Sequence, residues 1–289
     1  MNDFFSVFTD CLKESLLIIF IIFLLMVCIE LLVLRFKKNL IDLSVRNRYY
    51  AYVISSLFGF IPGCVGMFAM DSLYMAGLLS FGGLVSTMLA SIGDEIAILF
   101  SLVIRGDISV HSSSILLLVL FVLGIIGGIS ADWIAKKMKL KFSDKCLIEI
   151  HEIDHSFSFY HFFRHHILEH IIKKHIWKIF AWIFATLLLM SFSKDIIGNI
   201  TWQGAHPLVM ILLAALIGLI PMSGPGTIFF FMFAQGSIPF SVLLTNCIVQ
   251  DGHGMLPILG FSFHDALKIK IFNLIFGLLV GTALLFFGF

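Results

Sequence analysis

Ile248-Val249-Gln250-Asp251-Gly252-His253-Gly254-Met255-Leu256-Pro257 lies inside an otherwise apolar run, Phe240 to Phe261. A charged side chain in the middle of a membrane span costs about 2.5–3.5 kcal/mol on insertion scales, so such residues are expected to face a protein interior or a wet cavity. The same interruption occurs earlier in the chain. Leu78 to Ile104 is apolar but is broken at Ser91-Ile92-Gly93-Asp94-Glu95.

The two interruptions belong to a longer correspondence. Aligning residue n with n+159 pairs Gly59 with Gly218, Ile61 with Ile220 and Pro62 with Pro221. It also pairs Gly77 with Gly236, Phe81 with Phe240, Leu84 with Leu243 and Gly93 with Gly252, without a gap. Asp94 falls opposite His253. Apolar matches are cheap in a biased composition, whereas a proline and several glycines in register are not. An internal duplication explains them.

Composition sets the solvent. Of 289 residues 60% are hydrophobic and 13% charged, and the mean hydropathy is +1.05. Globular domains average about 25% charged, and the apolar runs here are long enough to cross about 30 Å of hydrocarbon. The chain reads as an all-α polytopic membrane protein. Its net charge of +1 offers nothing to a nucleic acid. Five scattered cysteines, with no CxxC spacing, argue against a disulfide framework. The first run, Ser15 to Leu34, is long enough to span and precedes a basic loop, unlike a cleaved leader.

Three parts follow from the hydropathy: a first transmembrane repeat at 1–135, a basic His-rich loop at 136–178 and a second repeat at 179–289. Cytoplasmic loops are enriched in Lys and Arg. Arg35, Lys37, Lys38, Arg46 and Arg48 follow the first span, and Lys136, Lys137, Lys139, Lys141 and Lys145 open the central loop. Both are expected inside, with the N-terminus outside. Three simple spans between them would put the second on the wrong side. A re-entrant hairpin at Leu78 to Ile104 resolves this, its arms being roughly 22 and 15 Å long at 1.5 Å per residue. The same device in the second half leaves Lys268 and Lys270 inside. The expected architecture is two inverted repeats, each of three spanning helices plus a broken re-entrant hairpin, about ten segments in all. Long tilted helices with ordinary loops are the plainer alternative.

The breaks are the candidate site. Asp94, Glu95, Asp251 and His253 are expected to bind an ion near mid-membrane, with Asn246, Gln250, Ser91 and Ser223 assisting. Oxygen donors with one imidazole suit manganese, iron or zinc better than magnesium or calcium. A hydrogen-bonded network that merely closes the break is the structural alternative. Pro62 and Gly63, paired with Pro221, Gly224 and Pro225, are expected to unwind two more helices, as Gly93, Gly252 and Gly254 do at the charged breaks. Freed carbonyls there would take a cation and freed N–H groups an anion. In the central loop His151/His155 and His166/His170 have the i,i+4 spacing of a metal-chelating pair. The loop is equally a basic, aromatic segment suited to a membrane surface.

The strings Ile61-Pro62-Gly63-Cys64-Val65-Gly66, Ser91-Ile92-Gly93-Asp94-Glu95, Gly218-Leu219-Ile220-Pro221 with Ser223-Gly224-Pro225, and Gln250-Asp251-Gly252-His253-Gly254 resemble the bacterial ten-transmembrane heavy-metal exporters. Members of that family are also labelled manganese transporter or arsenic efflux protein. The resemblance spans both repeats and implies export of a metal or metalloid across the bacterial inner membrane. Together with the site residues this is read as secondary active efflux of a divalent transition metal, Mn²⁺ first, with the carboxylates carrying protons in exchange, and with no enzyme activity and no fixed cofactor expected. The partners implied are the lipid bilayer and the metal ion; a homo-oligomer is compatible with them. Two rivals stay open: a carrier of an anion or arsenic-type oxyanion, and a membrane enzyme or flippase acting on a lipid headgroup.

Overall fold

A computed structural model describes residues 6–13, 15–16, 19–20, 23, 48–61, 65–93, 95–143, 180–181, 184–185, 188, 206–221 and 224–288. Among these, every regular element is a helix. Residues 6–13 are helical. The first half continues with α1 (Arg48–Gly59), α2 (Val65–Met75), α3 (Phe81–Ala90), α4 (Glu95–Arg105) and α5 (Val110–Lys137). The second has α6 (Pro207–Gly218), a 3-10 turn (Gly224–Gly226), α7 (Thr227–Ala234), α8 (Phe240–Val249), a second 3-10 turn (Gly252–Met255), α9 (Leu256–Phe261) and α10 (Phe263–Phe286). The expected loop sites His151, His155, His166 and His170, and also Pro62, Gly63, Asp94 and Ser223, lie outside the described residues.

Local chemistry sets the helix starts. Ser80 caps α3 by accepting from the Gly83 amide, Ser109 caps α5 through the Ser112 amide, and Ser262 caps α10 through the Asp265 amide. Each supplies an acceptor to an N–H that has no partner within the helix. Because Ser109 caps α5, that helix starts at Val110 and absorbs part of the polar link that hydropathy assigned to a loop. The shift of 159 reappears in the backbone. Arg48–Gly59 maps onto Pro207–Gly218 and Phe81–Ala90 onto Phe240–Val249. Both α3 and α8 end in one extended residue, Ser91 and Gln250. Two residues later Gly93 (φ 63°) and Gly252 (φ 52°) take the left-handed conformation that a side chain would resist.

Helix directions follow from close contacts. A Cβ at Gly59 would stand 2.6 Å from the Thr87 carbonyl oxygen and 3.1 Å from Ala90 Cβ, and one at Gly83 would meet Ser55, so α1 and α3 run parallel. Gly124 faces Ser86 and Ala90 while Gly128 faces Gly82 and Ser86, so α5 runs antiparallel to α3. Asp132, near the end of α5, ties both starts together. It accepts from the Tyr52 hydroxyl (2.7 Å), the Ser80 hydroxyl (2.7 Å) and the Gly82 amide (2.6 Å). Residues 48–75 therefore leave the Asp132 end and return to it.

The expected doubling-back of Leu78–Ile104 does not occur. Ile96 and Phe100 of α4 line one apolar cleft with Leu117 and Phe121 of α5, so α4 continues past the break toward the far end. Phe81–Arg105, taken as one segment of 25 residues, is long and apolar enough to cross a membrane, as are Val110–Lys137 and Phe263–Phe286. Hydropathy missed this because it locates a break without giving the angle across it. The segment that returns is formed by α1 and α2, where Ser55 faces Met70 and Gly66 faces Phe58.

The second half repeats the pattern. The Asn246 amide donates to the Ala214 carbonyl (3.0 Å), and a Cβ at Gly218 would meet Val249 and Gln250, so α6 and α8 are parallel. Gly277 faces Ile248 and Val249, and Gly281 faces Ser241 and Thr245, so α10 is antiparallel to α8. The start of α10 sits where α5 finishes. Buried Asp265 accepts from the Tyr74 hydroxyl (2.9 Å) and the Ser143 amide (3.1 Å), and Phe81 packs on Phe142 with ring centroids 4.8 Å apart. Helices α6 and α8 thus start at the end opposite to α1 and α3. Contacts between halves are reciprocal: α4 packs on α7, α2 on α9, and α3 on α8.

Gly124 and Gly128 on α5, like Gly277 and Gly281 on α10, let these helices approach α3 and α8 closely, the small-xxx-small device of membrane helices. A Gly128→Val or Gly281→Val side chain would enter space held by Ser86 or Thr245. Each is expected to cost about 1–3 kcal/mol by overpacking, read as a lower melting temperature of the purified protein in detergent.

Candidate functional site

Four helix interruptions meet between the halves, and their side chains fill one another's gaps. Glu95, the first residue of α4, is fully buried, and its Oε1 accepts from Gln250 Nε2 at 2.5 Å. Glu95 belongs to the first half and Gln250 to the second. The Gln250 amide also occupies the space where a Cβ at Gly226 would stand, so it touches the start of α7. Met67, near the start of α2, fills the equivalent space at Gly254. Each half thus sends one side chain across to the other's break: Gln250 to Glu95, and Met67 to Gly254.

Asp251 is buried in the bend between α8 and the 3-10 turn that carries His253. Its Oδ1 accepts from Asn273 Nδ2 at 2.9 Å, and its Oδ2 pairs with Lys270 Nζ at 2.7 Å. The Lys270 ammonium also donates to the carbonyls of Gly218 (3.1 Å) and Val249 (3.2 Å), the last residues of α6 and α8. Those carbonyls sit at the negative ends of two helix dipoles, where a cation is favoured.

The expected ion site is only partly assembled. Glu95, Asp251, Asn246 and Gln250 are buried at the breaks. Ser91 is buried but turned to its own backbone, its Oγ accepting from the Gly93 amide at 3.1 Å. His253 is half-buried. Of the expected helix breaks, Pro221 lies in a bend past α6, and Gly224 and Pro225 form the 3-10 turn before α7. Among the described residues no three His, Cys, Asp or Glu side chains gather around one point. Glu95 and Asp251 instead have separate partners, because a lysine from α10 already takes the Asp251 charge.

Three participants escaped the sequence reading. Asp71 is fully buried in α2. Neither of its carboxylate oxygens has a hydrogen-bond partner among the described residues. It stands within range of electrostatic repulsion from Asp251. The signal was the absence of any Gly or Pro between Met67 and Tyr74. Lys270 served only as a mark of the inner side, and Asn273 was not singled out. Their i,i+3 spacing, continued at i+4 by Gly277 and Gly281, marks one face of one helix. Replacing Gln250 by Leu deletes a hydrogen bond to a buried carboxylate. The expected loss is roughly 1.5–3 kcal/mol of stability, measured as a fall in melting temperature relative to wild type.

No curated protein and no solved structure matches the chain. A family described as "Putative, 10TM heavy-metal exporter" matches residues 4–196 and 145–288. The two matches together cover nearly the whole sequence, including both charged breaks, so the chain belongs to the ten-transmembrane heavy-metal exporter family.

Proposed function

We propose that this protein is a secondary active exporter that carries a divalent transition metal, Mn²⁺ before others, across the bacterial inner membrane in exchange for protons. The observation that carries the reading is the pair of buried carboxylates, Glu95 and Asp251, held at broken helices where the two halves meet. Ionisable groups at such a depth mark ion pathways. Oxygen donors from Asp94, Glu95, Asp251, Asn246 and Gln250, with the His253 imidazole, suit a borderline-hard divalent ion. No GxxxxGK[ST] string is present to bind ATP.

The proposed frame is an inverted repeat. Arg48 opens α1, and Lys136, Lys137, Lys139 and Lys141 lie around the end of α5, so that end is assigned to the cytoplasm. Residues 48–75 would then enter from the cytoplasm and 207–234 from outside, each as a re-entrant hairpin. With a hairpin counted as two segments, each half has five: the N-terminal span, two arms, one broken span and one whole span. This also places both basic loops inside. Half-helices meeting at mid-membrane between inverted units suit alternating access, in which one unit rocks against the other around a fixed site.

Vesicle transport tests the reading. Asp94→Asn combined with Asp251→Asn is expected to lower Mn²⁺ efflux by at least about tenfold, as loss of metal-ligating groups or their partners does. Unchanged efflux would remove the metal site from these residues. An oxyanion cargo, bound by half-helix N-termini, would be indifferent to the loss of both acids.

A further inference from the structure

We propose that the Lys270 ammonium is a resident cation in a cation-binding cage, and that the transported ion reaches Asp251 by displacing it. This rests on the transport reading above and adds to it a residue and an exchange of partners. The cage consists of Asp251 Oδ2 and the Gly218 and Val249 carbonyls, at 2.7, 3.1 and 3.2 Å from one nitrogen. A carboxylate oxygen and two helix-terminal carbonyls around a point are the donors a hard cation uses. Further oxygens are at hand. Asn273 Oδ1 and both Asp71 oxygens are buried and have no hydrogen-bond partner among the described residues.

The molecule carries its own control. Gly124 and Gly128 make the contacts on α3 that Gly277 and Gly281 make on α8, so the last helices of the halves correspond at a shift of 277 − 124 = 153 residues. On that register Lys270 matches Leu117 and Asn273 matches Leu120, while the shift of 159 matches Asp251 with Ile92. The first half therefore has no counterpart of this ion pair; its own break carries Glu95, paired with Gln250. A helix break of this kind thus does not demand a lysine–carboxylate pair. Buried ion pairs are also no more stabilising than well-packed apolar residues of similar size. The Asp251–Lys270–Asn273 set is confined to one copy of the fold.

The exchange has a physical purpose. An exchanger must also reorient after its metal has left. A bare buried carboxylate is costly, and the tethered ammonium neutralises Asp251 whenever the metal is absent. When a cation arrives, the lysine side chain, 12% exposed and not fully enclosed, can swing away from Asp251. Lys270 thus competes with the cargo for Asp251 and permits the metal-free return.

The test compares wild type with Lys270→Gln, using Mn²⁺ as the probe. In detergent, Lys270→Gln is expected to bind Mn²⁺ at least about tenfold more tightly, seen as a larger thermal stabilisation at the same Mn²⁺ concentration. In proteoliposomes it should keep Mn²⁺–Mn²⁺ exchange while net efflux falls by a similar factor. A purely structural lysine would lower the melting temperature without raising affinity, and that result, or normal net efflux, overturns the proposal. Should Lys270→Gln not fold, Lys270→Gln with Asp251→Asn removes both charges and is expected to fold but to lose Mn²⁺ stabilisation. Stabilisation equal to wild type in the double variant overturns the proposal as well. Wild type that neither binds nor moves Mn²⁺ refutes the transport reading itself, and this inference with it.

Discussion

A peptide group freed at a helix break inside hydrocarbon has no water to bond. That constraint organises the whole molecule. Four breaks, after Gly59, Ala90, Gly218 and Val249, lie where the halves meet. Two of them are joined by side chains that cross between the halves. Gln250 reaches from the second half to Glu95 of the first, and Met67 from the first fills the space beside Gly254 of the second. The halves must associate for either to be satisfied, so the site is also the main seam of the fold.

Around that seam the packing is permissive by design. Glycines on α5 and α10 bring whole helices against the first arms of broken ones. Close backbone approach supplies the dispersion contacts that replace the hydrophobic effect between helices in lipid. Side-chain hydroxyls at Ser80 and Ser262 and the carboxylates of Asp132 and Asp265 then pin one end of the bundle. The interior is left with few charges, each placed against a named partner or another acid.

The charge economy is asymmetric, and the asymmetry carries the chemistry. Asp251, Lys270 and Asn273 have apolar counterparts in the first half, while Asp94 aligns with His253. The two breaks thus carry different ionisable groups on one duplicated scaffold, Glu95 in the first half and the Asp251–Lys270 pair in the second. Asp71 is also buried without a hydrogen-bond partner among the described residues, within range of electrostatic interaction with Asp251. Such a region is suited to holding a cation that arrives from water.

Composition and one register shift determined much by themselves: a polytopic helical membrane protein, a duplicated unit, and breaks at Gly93 and Gly252. These were legible because apolar runs and glycines report local cost, residue by residue. The direction of the chain across each break was not legible. A hairpin and a broken span need the same Gly and Pro, and only the partners of Asp132 and the contacts of α4 with α5 separate them. The partner of Asp251 was equally hidden. Lys270 lies 19 residues away (270 − 251), and the attraction that joins them depends on distance through space, which only the packed helices define.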